Sequence, residues 1–331
     1  MLRYIFRRVL LAIPTLIVIS IIAFAIIQLP PGDYLTSYIA GLRVTEGEEA
    51  ANAYREIIDQ LRVQYGLDKP VYVQYAKWVS NIILRGDFGY SFEQKRAVNL
   101  LIWERLGLTV LLTGTTLIFT WLLAIPIGVL SATKQYSLAD YFFTFWSFVG
   151  LGVPNFLVAL ILMWVAFAYF DLSITGLFSP EFIDVPWSLA RFGNMMSHIW
   201  VPVLVLGMGG SASLIRTMRA NMLDELNKPY VQVARAKGLK EWRLIWKYPV
   251  RLALNPFVSS IASAFPQLVS GATIVSIVLN LPTTGPLLLR SLLSQDMFLA
   301  GSFILLLSVL TLIGTLVSDI LLVLVDPRIA F

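Results

Sequence analysis

The sequence predicts an all-α membrane protein of six transmembrane helices, with both ends of the chain on the cytoplasmic side. Three observations predict it: an apolar excess, six uncharged or nearly uncharged runs of membrane length, and a one-sided distribution of Lys and Arg. Of 331 residues, 57% are apolar or aromatic and only 14% are charged. An ordinary soluble domain is about 25% charged. One soluble core cannot absorb that apolar excess, so the solvent is a bilayer.

A bilayer core about 30 Å thick needs roughly 20 apolar residues in a helix. Runs at 9–29, 106–130, 141–170, 199–215, 257–279 and 299–325 qualify. Helices follow because lipid offers the backbone no hydrogen-bond partners. The third run is long enough to tilt, or to bend near Pro154. The first run is too long for a signal peptide's apolar core, and no small-x-small cleavage site follows it. It is therefore read as a retained span.

Positive charge sets the orientation. Arg3, Arg7, Arg8, Lys134, nine residues of the 216–255 loop and Arg328 put 14 basic residues on one side, against Arg191 and Arg290 in the short loops of the other. The chain then divides into residues 1–29 (the N-terminal segment and first helix), an extracytoplasmic helical insertion at 30–105, a five-helix core at 106–325, and a cytoplasmic tail at 326–331. The insertion carries 9 basic and 10 acidic residues. Within it, 46–65 has helix-favouring composition, with Gly66 positioned to end that helix. Tyr72, Tyr75, Trp78, Val79 and Ile82 repeat at helical spacing after Pro70. The insertion reads as a helical cap packed on the membrane face, or as a docking surface for an external partner.

The cytoplasmic loop at 216–255 carries the most information. Asn227 can cap a helix whose first turn accepts Pro229. That helix runs through Tyr230, Ala234, Arg235, Ala236 and Lys237. Gly238 stops it in a left-handed conformation, and a second helix follows from Leu239 to Val250. Such a helix-Gly-helix element can seat in a groove of another protein. It can also lie on anionic lipid headgroups.

Two polar stripes cross the spans. Thr109, Thr113, Thr116 and Thr120 share one helical face, and the reading favoured for them is helix packing. Ser259, Ser263, Gln267 and Ser270 share another, read as channel lining because Gln267 is large and polar. Asp319 lies inside the sixth run, where an acid is costly unless paired. Arg7 and Arg8 are its candidate partners.

Several chemistries are excluded or disfavoured. The chain has no cysteine and one histidine, His198, so neither disulfides nor a clustered metal site is expected. No catalytic residues are assigned. Basic residues alternate with membrane-length runs, which disfavours nucleic-acid binding. No GxxxxGK[ST] pattern occurs, so the chain cannot bind ATP by that route.

The segment YVQVARAKGL at 230–239 resembles the cytoplasmic loop of binding-protein-dependent importer permeases of the oligopeptide and dipeptide class. The resemblance extends along most of the chain: LRYIFRRVLLAIPTLIVIS, PPGD at 30–33, YGLDKPVYVQYAKW at 65–78, GDFGYSF at 86–92, LPTTGPLLLRSL at 281–292, and LVDPRIAF at the end. The broader permease signature has Glu-Ala-Ala, three residues and Gly. Aligned on Gly238, this chain has Gln232-Val233-Ala234, and Tyr248-Pro249-Val250-Arg251 stands where Ile-x-Leu-Pro is usual.

The resemblance implies a type I ABC importer permease fold in a bacterial or archaeal cytoplasmic membrane. It implies that Tyr230, Ala234, Arg235, Ala236, Lys237, Gly238 and Leu239 couple the chain to ATPases. The expected partners are two ATP-binding subunits that carry ATP and Mg, a second homologous permease, an extracytoplasmic solute-binding protein and the lipid bilayer. Peptides are the leading cargo, with oligosaccharides or nickel chelates as alternatives. Readings of a different class are an ion-gradient-driven secondary transporter, a membrane enzyme and a docking protein. The first would normally show intramembrane acids and internal repeats, and the second a nucleophile with a base or clustered metal ligands.

Overall fold

The computed structural model describes residues 2–29, 66–183 and 185–325, with isolated positions between 43 and 63. Apart from those positions, the predicted helix at 46–65 and the tail at 326–331 lie outside the described residues. The structure divides into two compact units, residues 1–107 with 283–310 and residues 108–282 with 311–331.

The first unit opens with α1 (Leu2–Gln28). Residue Pro70 starts α2 (Val71–Arg85), because its fixed φ suits a helix entry. The helix ends at Gly86, which takes φ +63, and the amides of Gly86 and Asp87 return to the carbonyls of Ile82 and Asn81. Trp78 is the buried anchor of this helix. Its ring stacks on Phe24 of α1 at 5.7 Å, and its Nε1 donates to Phe88 O.

The insertion is not wholly helical. Tyr90–Ser91 (β1) and Arg96–Ala97 (β2) pair as an antiparallel ribbon, in register Tyr90 with Ala97 and Ser91 with Arg96. Asn99 fixes the ribbon's base by accepting from Phe88 N and donating to Gly86 O. Gly89 is required there twice over. Its φ is +98, and a Cβ would sit 2.9 Å from the Phe298 ring.

A long helix, α3 (Val98–Thr133), follows. It begins eight residues before the apolar run because Val98, Leu101 and Ile102 bury against Phe24, Leu287 and Phe303 in the first unit's core.

In the second unit the predicted third span is two helices, α4 (Leu138–Gly152) and α5 (Asn155–Phe170), bent by 99°. The break falls at Val153-Pro154. Proline lacks an N–H and drives the residue before it out of the helical region, and Val153 sits at φ −94, ψ 122.

The hub is α6 (Leu189–Leu226), 38 residues capped at Ser188, whose hydroxyl accepts from Arg191 N. Small residues let its neighbours approach. A Cβ on Gly128 of α3 would lie 2.4 Å from Met218, and one on Gly150 of α4 would lie 3.0 Å from Ala212. The threonine stripe of α3 is buried throughout. Thr113 and Thr120 donate to the carbonyls of Thr109 and Thr116, and Thr120 faces Gly207 and Gly210.

The chain then makes α7 (Pro229–Ala236), α8 (Glu241–Lys247) and α9 (Pro249–Ala253). The predicted fifth span is interrupted. It comprises α10 (Asn255–Gly271), which contains Pro266, and a short α11 (Thr273–Val278) beyond a break at Ala272. Helices α12 (Thr284–Leu293) and α13 (Met297–Val325) are the last described elements.

Among the described residues, α3, α6, α13 and residues 5–28 of α1 are long and apolar enough to cross a bilayer, and the α4–α5 pair makes a fifth if it counts as one span. Residues Leu10, Ile17, Phe145 and Trp164 on these helices are at least half exposed, as side chains in contact with lipid would be.

Candidate functional site: the 216–255 loop

The loop is a folded element with its own small core. Lys228, in an extended conformation, precedes Pro229 at the first helical position, where a missing N–H costs nothing. Asn227 does not cap α7 as predicted. It closes α6 instead, and its Nδ2 donates to Leu223 O. Because Lys228 must be extended before a proline, the capping position moves one residue beyond Asn227.

Val231 and Ala234 bury one face of α7 against Leu244 of α8, with Tyr230, Leu239, Ile245 and Tyr248 around them. Gln232, Val233, Arg235, Ala236 and Lys237 are exposed on the other face. Of the residues predicted to couple, Ala234 therefore faces the loop's own core, while Arg235, Ala236 and Lys237 face outward. Tyr230 donates from its hydroxyl to Glu225.

Gly238 takes φ +75, and a Cβ there would meet nothing within 4 Å. The constraint is conformational, since left-handed backbone costs an L-residue about 1–2 kcal/mol. The turn is stapled by Arg235, whose Nε and Nη2 donate to Glu241 at 2.5 and 3.2 Å. That hydrogen bond and charge hold the Glu241 carboxyl below the usual carboxylate range.

The predicted helix from Leu239 to Val250 is two pieces, because Pro249 supplies no N–H and Tyr248 leaves the helical path at ψ −76. The second piece, α9, buries Pro249, Val250 and Ala253, the latter two in a cluster with Met218, Met222 and Phe257.

The predicted channel residues lie on α10. Ser259 and Gln267 are exposed, and Ser263 is half-buried. Ser259 and Ser263 donate to the carbonyls of Asn255 and Ser260. The side chain of Ser270 lies outside the described residues. Asp319 is buried on α13, beside Ser318, whose hydroxyl donates to Val258 O. His198 is tied into a loop closure, with Nδ1 on Asn194 O and Nε2 near Ser179. No cluster of three potential metal ligands occurs among the described residues.

Two polar sites escaped sequence reasoning. Asp140 of α4 is buried and takes a two-pronged ion pair from Arg219 of α6, with Nε and Nη2 each donating at 2.8 Å. The signal was Ser137-x-x-Asp140, a capping-box pattern, and the Ser137 hydroxyl does accept from Asp140 N. Asp296 is fully buried at the start of α13. It accepts from the Ser91 hydroxyl at 2.6 Å and from the amides of Glu93 and Leu299. An Asp immediately before an apolar run is an N-cap signal. Nothing local in the sequence couples it to a ribbon 205 residues away.

The fold and this loop define a multi-pass membrane protein with a helix-Gly-helix element between its spans. The chain matches the model of the binding-protein-dependent transport system inner membrane component over residues 124–331, and that family's N-terminal model over residues 1–113. It is similar to the oligopeptide transport system permease protein AppB of Bacillus subtilis, 37% identical over 329 residues and 99% of both chains. It is 30% identical to the oligopeptide permease OppB of Haemophilus influenzae over 333 residues and all of both chains. It is also 30% identical to the glutathione permease GsiC of Salmonella paratyphi A over 331 residues and all of both chains. The chain belongs to the family of permease components of binding-protein-dependent ABC importers, which are transport subunits and not themselves enzymes.

Proposed function

We propose that this chain forms half of the translocation channel of an importer for peptides, with six transmembrane helices and both termini in the cytoplasm. In this reading the α4–α5 pair and the α10–α11 segment supply the third and fifth spans. Two ATP-binding subunits carry ATP and Mg and receive the 228–240 loop as a coupling element. A second homologous permease completes the channel, and a solute-binding protein delivers cargo to the opposite face. The exposed Ser259 and Gln267, with Ser263 and Ser270, line the path, and Asp319 belongs to a structural ion pair. Peptides are chosen as cargo because the oligopeptide and glutathione permeases align with the whole chain.

The observation that carries this reading is the α7–Gly238–α8 element. Its inner face is locked by Val231, Ala234 and Leu244, so a push on the exposed basic face moves the loop as a unit. A loop that merely lay on lipid would not need that internal core. The ion-gradient alternative has less support, because Asp319 is the one acid within the six predicted runs and the sequence shows no internal repeat.

The test is reconstitution of the complex in vesicles with the binding protein. ATP-driven peptide uptake is expected, and uptake that follows an ion gradient without ATP would overturn the reading. A Gly238→Val change should uncouple hydrolysis from uptake. Gly238→Asn, which tolerates φ above zero, should retain most coupling. Equal uptake by wild type and Gly238→Val would refute the coupling assignment. The ligand that co-purifies with the binding protein separates peptides from oligosaccharides and nickel chelates.

A further inference from the structure

The last described turn of α13 meets a side chain of the loop. Arg251, on the exposed side of α9, donates from Nε to Val325 O at 2.7 Å and from Nη2 to Leu324 O at 3.0 Å. The last four carbonyls of a helix have no partner within it, and they carry the negative end of its dipole. A guanidinium meets both needs at once, because its planar fork offers two donors and a permanent charge.

The opposite side of α9 is equally committed. Val250 and Ala253 are buried with Met218 and Met222 of α6 and Phe257 of α10. One short helix therefore rests its apolar face on α6 and α10 while its arginine holds the end of α13. It follows α8 directly, with only Tyr248 between them. A displacement of the α7–α8 loop reaches α6 by packing. It reaches the end of α13 through two hydrogen bonds from one side chain.

We infer that Arg251 is a positioning residue for energy coupling: it ties α13 to the loop, so that the last span moves with the loop when the ATPases close. The inference rests on the coupling role proposed above for the loop. A chain of contacts does not by itself establish transmission, so the test must read coupling and not only stability.

In the reconstituted complex, the quantity to measure is ATP hydrolysed per peptide imported. Arg251→Ala should raise it about five-fold or more, the range of ordinary coupling energies, while hydrolysis stimulated by the binding protein is kept. Arg251→Lys, which keeps the charge and can still donate to a carbonyl, should fall between. A simple capping role would lower the unfolding temperature and leave the ratio alone.

The chain has no cysteine, which allows a second measurement with partner subunits made cysteine-free. In Arg251→Cys with Val325→Cys, a reducible bis-thiosulfonate crosslinker replaces the two hydrogen bonds by a covalent tie. The crosslinked complex should show the wild-type ratio, and reductant should bring it to that of Arg251→Ala. An unchanged ratio in Arg251→Ala overturns the inference. So does a crosslinked pair whose ratio is the same before and after reduction, and that arm decides alone if Arg251→Ala does not assemble. Failure of the wild type to import with ATP would instead remove the proposed function.

Discussion

Two buried aspartates, Asp140 and Asp296, solve the same problem in opposite ways. Asp140 meets a full positive charge, with both oxygens on Arg219 and further donors from Tyr136 N and the Thr144 hydroxyl. Asp296 meets three neutral donors: Ser91 Oγ, Glu93 N and Leu299 N. The nearby cation, Arg290, pairs at 3.4 Å with Glu93 instead. Burial therefore dominates at Asp296. It pushes that carboxyl above the ordinary carboxylate range against the pull of its three donors, and the Glu93 charge adds to the rise. The lesson is that a compensated carboxylate is a fixed clamp between helices. A carboxylate held by dipoles alone is a cap whose strength depends on pH.

The largest effect expected from this contrast is at Arg219. Arg219→Met leaves the Asp140 charge buried without its countercharge, which costs about 3 kcal/mol or more. The measurement is thermal unfolding of the purified chain in detergent. Adding Asp140→Leu should recover most of the loss, since replacing both members of a buried pair by apolar groups is often close to neutral. A loss from Arg219→Met no larger than about 1 kcal/mol, the value of a surface pair, would erase the distinction between the two sites.

The effect at Asp296 is smaller and has a sign in pH. Its pKa is raised in the folded state, so the folded chain binds the proton more tightly than the unfolded one. The contribution is fully present below the unfolded carboxylate pKa and is lost as pH rises through the folded value. Asp296→Asn removes that dependence. The variant should lose about 1 kcal/mol at low pH, where an amide nitrogen cannot accept from the Glu93 N–H. The gap to wild type should narrow as pH rises. A gap that instead widened as pH rose would show that Asp296 is compensated like Asp140, and parallel profiles would show that folding leaves its pKa unshifted.

What was legible in the sequence follows from the range of each interaction. Apolar length marked the membrane-spanning helices of α1, α3, α6 and α13, because burial in lipid depends on local composition. It did not mark where they end. Val98 and Leu226 lie beyond the apolar runs, and those ends are set by contacts with Phe24, Phe303 and the loop cluster. Gly238 and Pro154 were legible because their backbone limits are intrinsic. Tyr248 was not, since Pro249 was read within a helix that it begins anew. The β1–β2 ribbon was missed because two-residue strands have no period, and its lock, Asp296, is distant in sequence. The buried face of Ala234 was missed because a small residue on a short helix reads equally as slim surface or as core.

The same contrast between compensation and exposure can be sharpened with uncharged side chains, where the effects are least. Thr113 on α3 and Gln267 on α10 belong to stripes of the same helical spacing, and composition alone did not part them decisively. Thr113 is buried, and its hydroxyl already donates to Thr109 O. Thr113→Val keeps the shape and loses one local bond, so stability should change by about 0.6 kcal/mol. Uptake should be unaffected. Gln267 is exposed, and its amide has four hydrogen-bonding sites to satisfy. Gln267→Leu should leave unfolding unchanged and alter the uptake profile of the assembled importer. If Thr113→Val changed uptake while Gln267→Leu did not, the buried stripe would be the one in contact with the path, and the assignment of packing and lining would have to be exchanged.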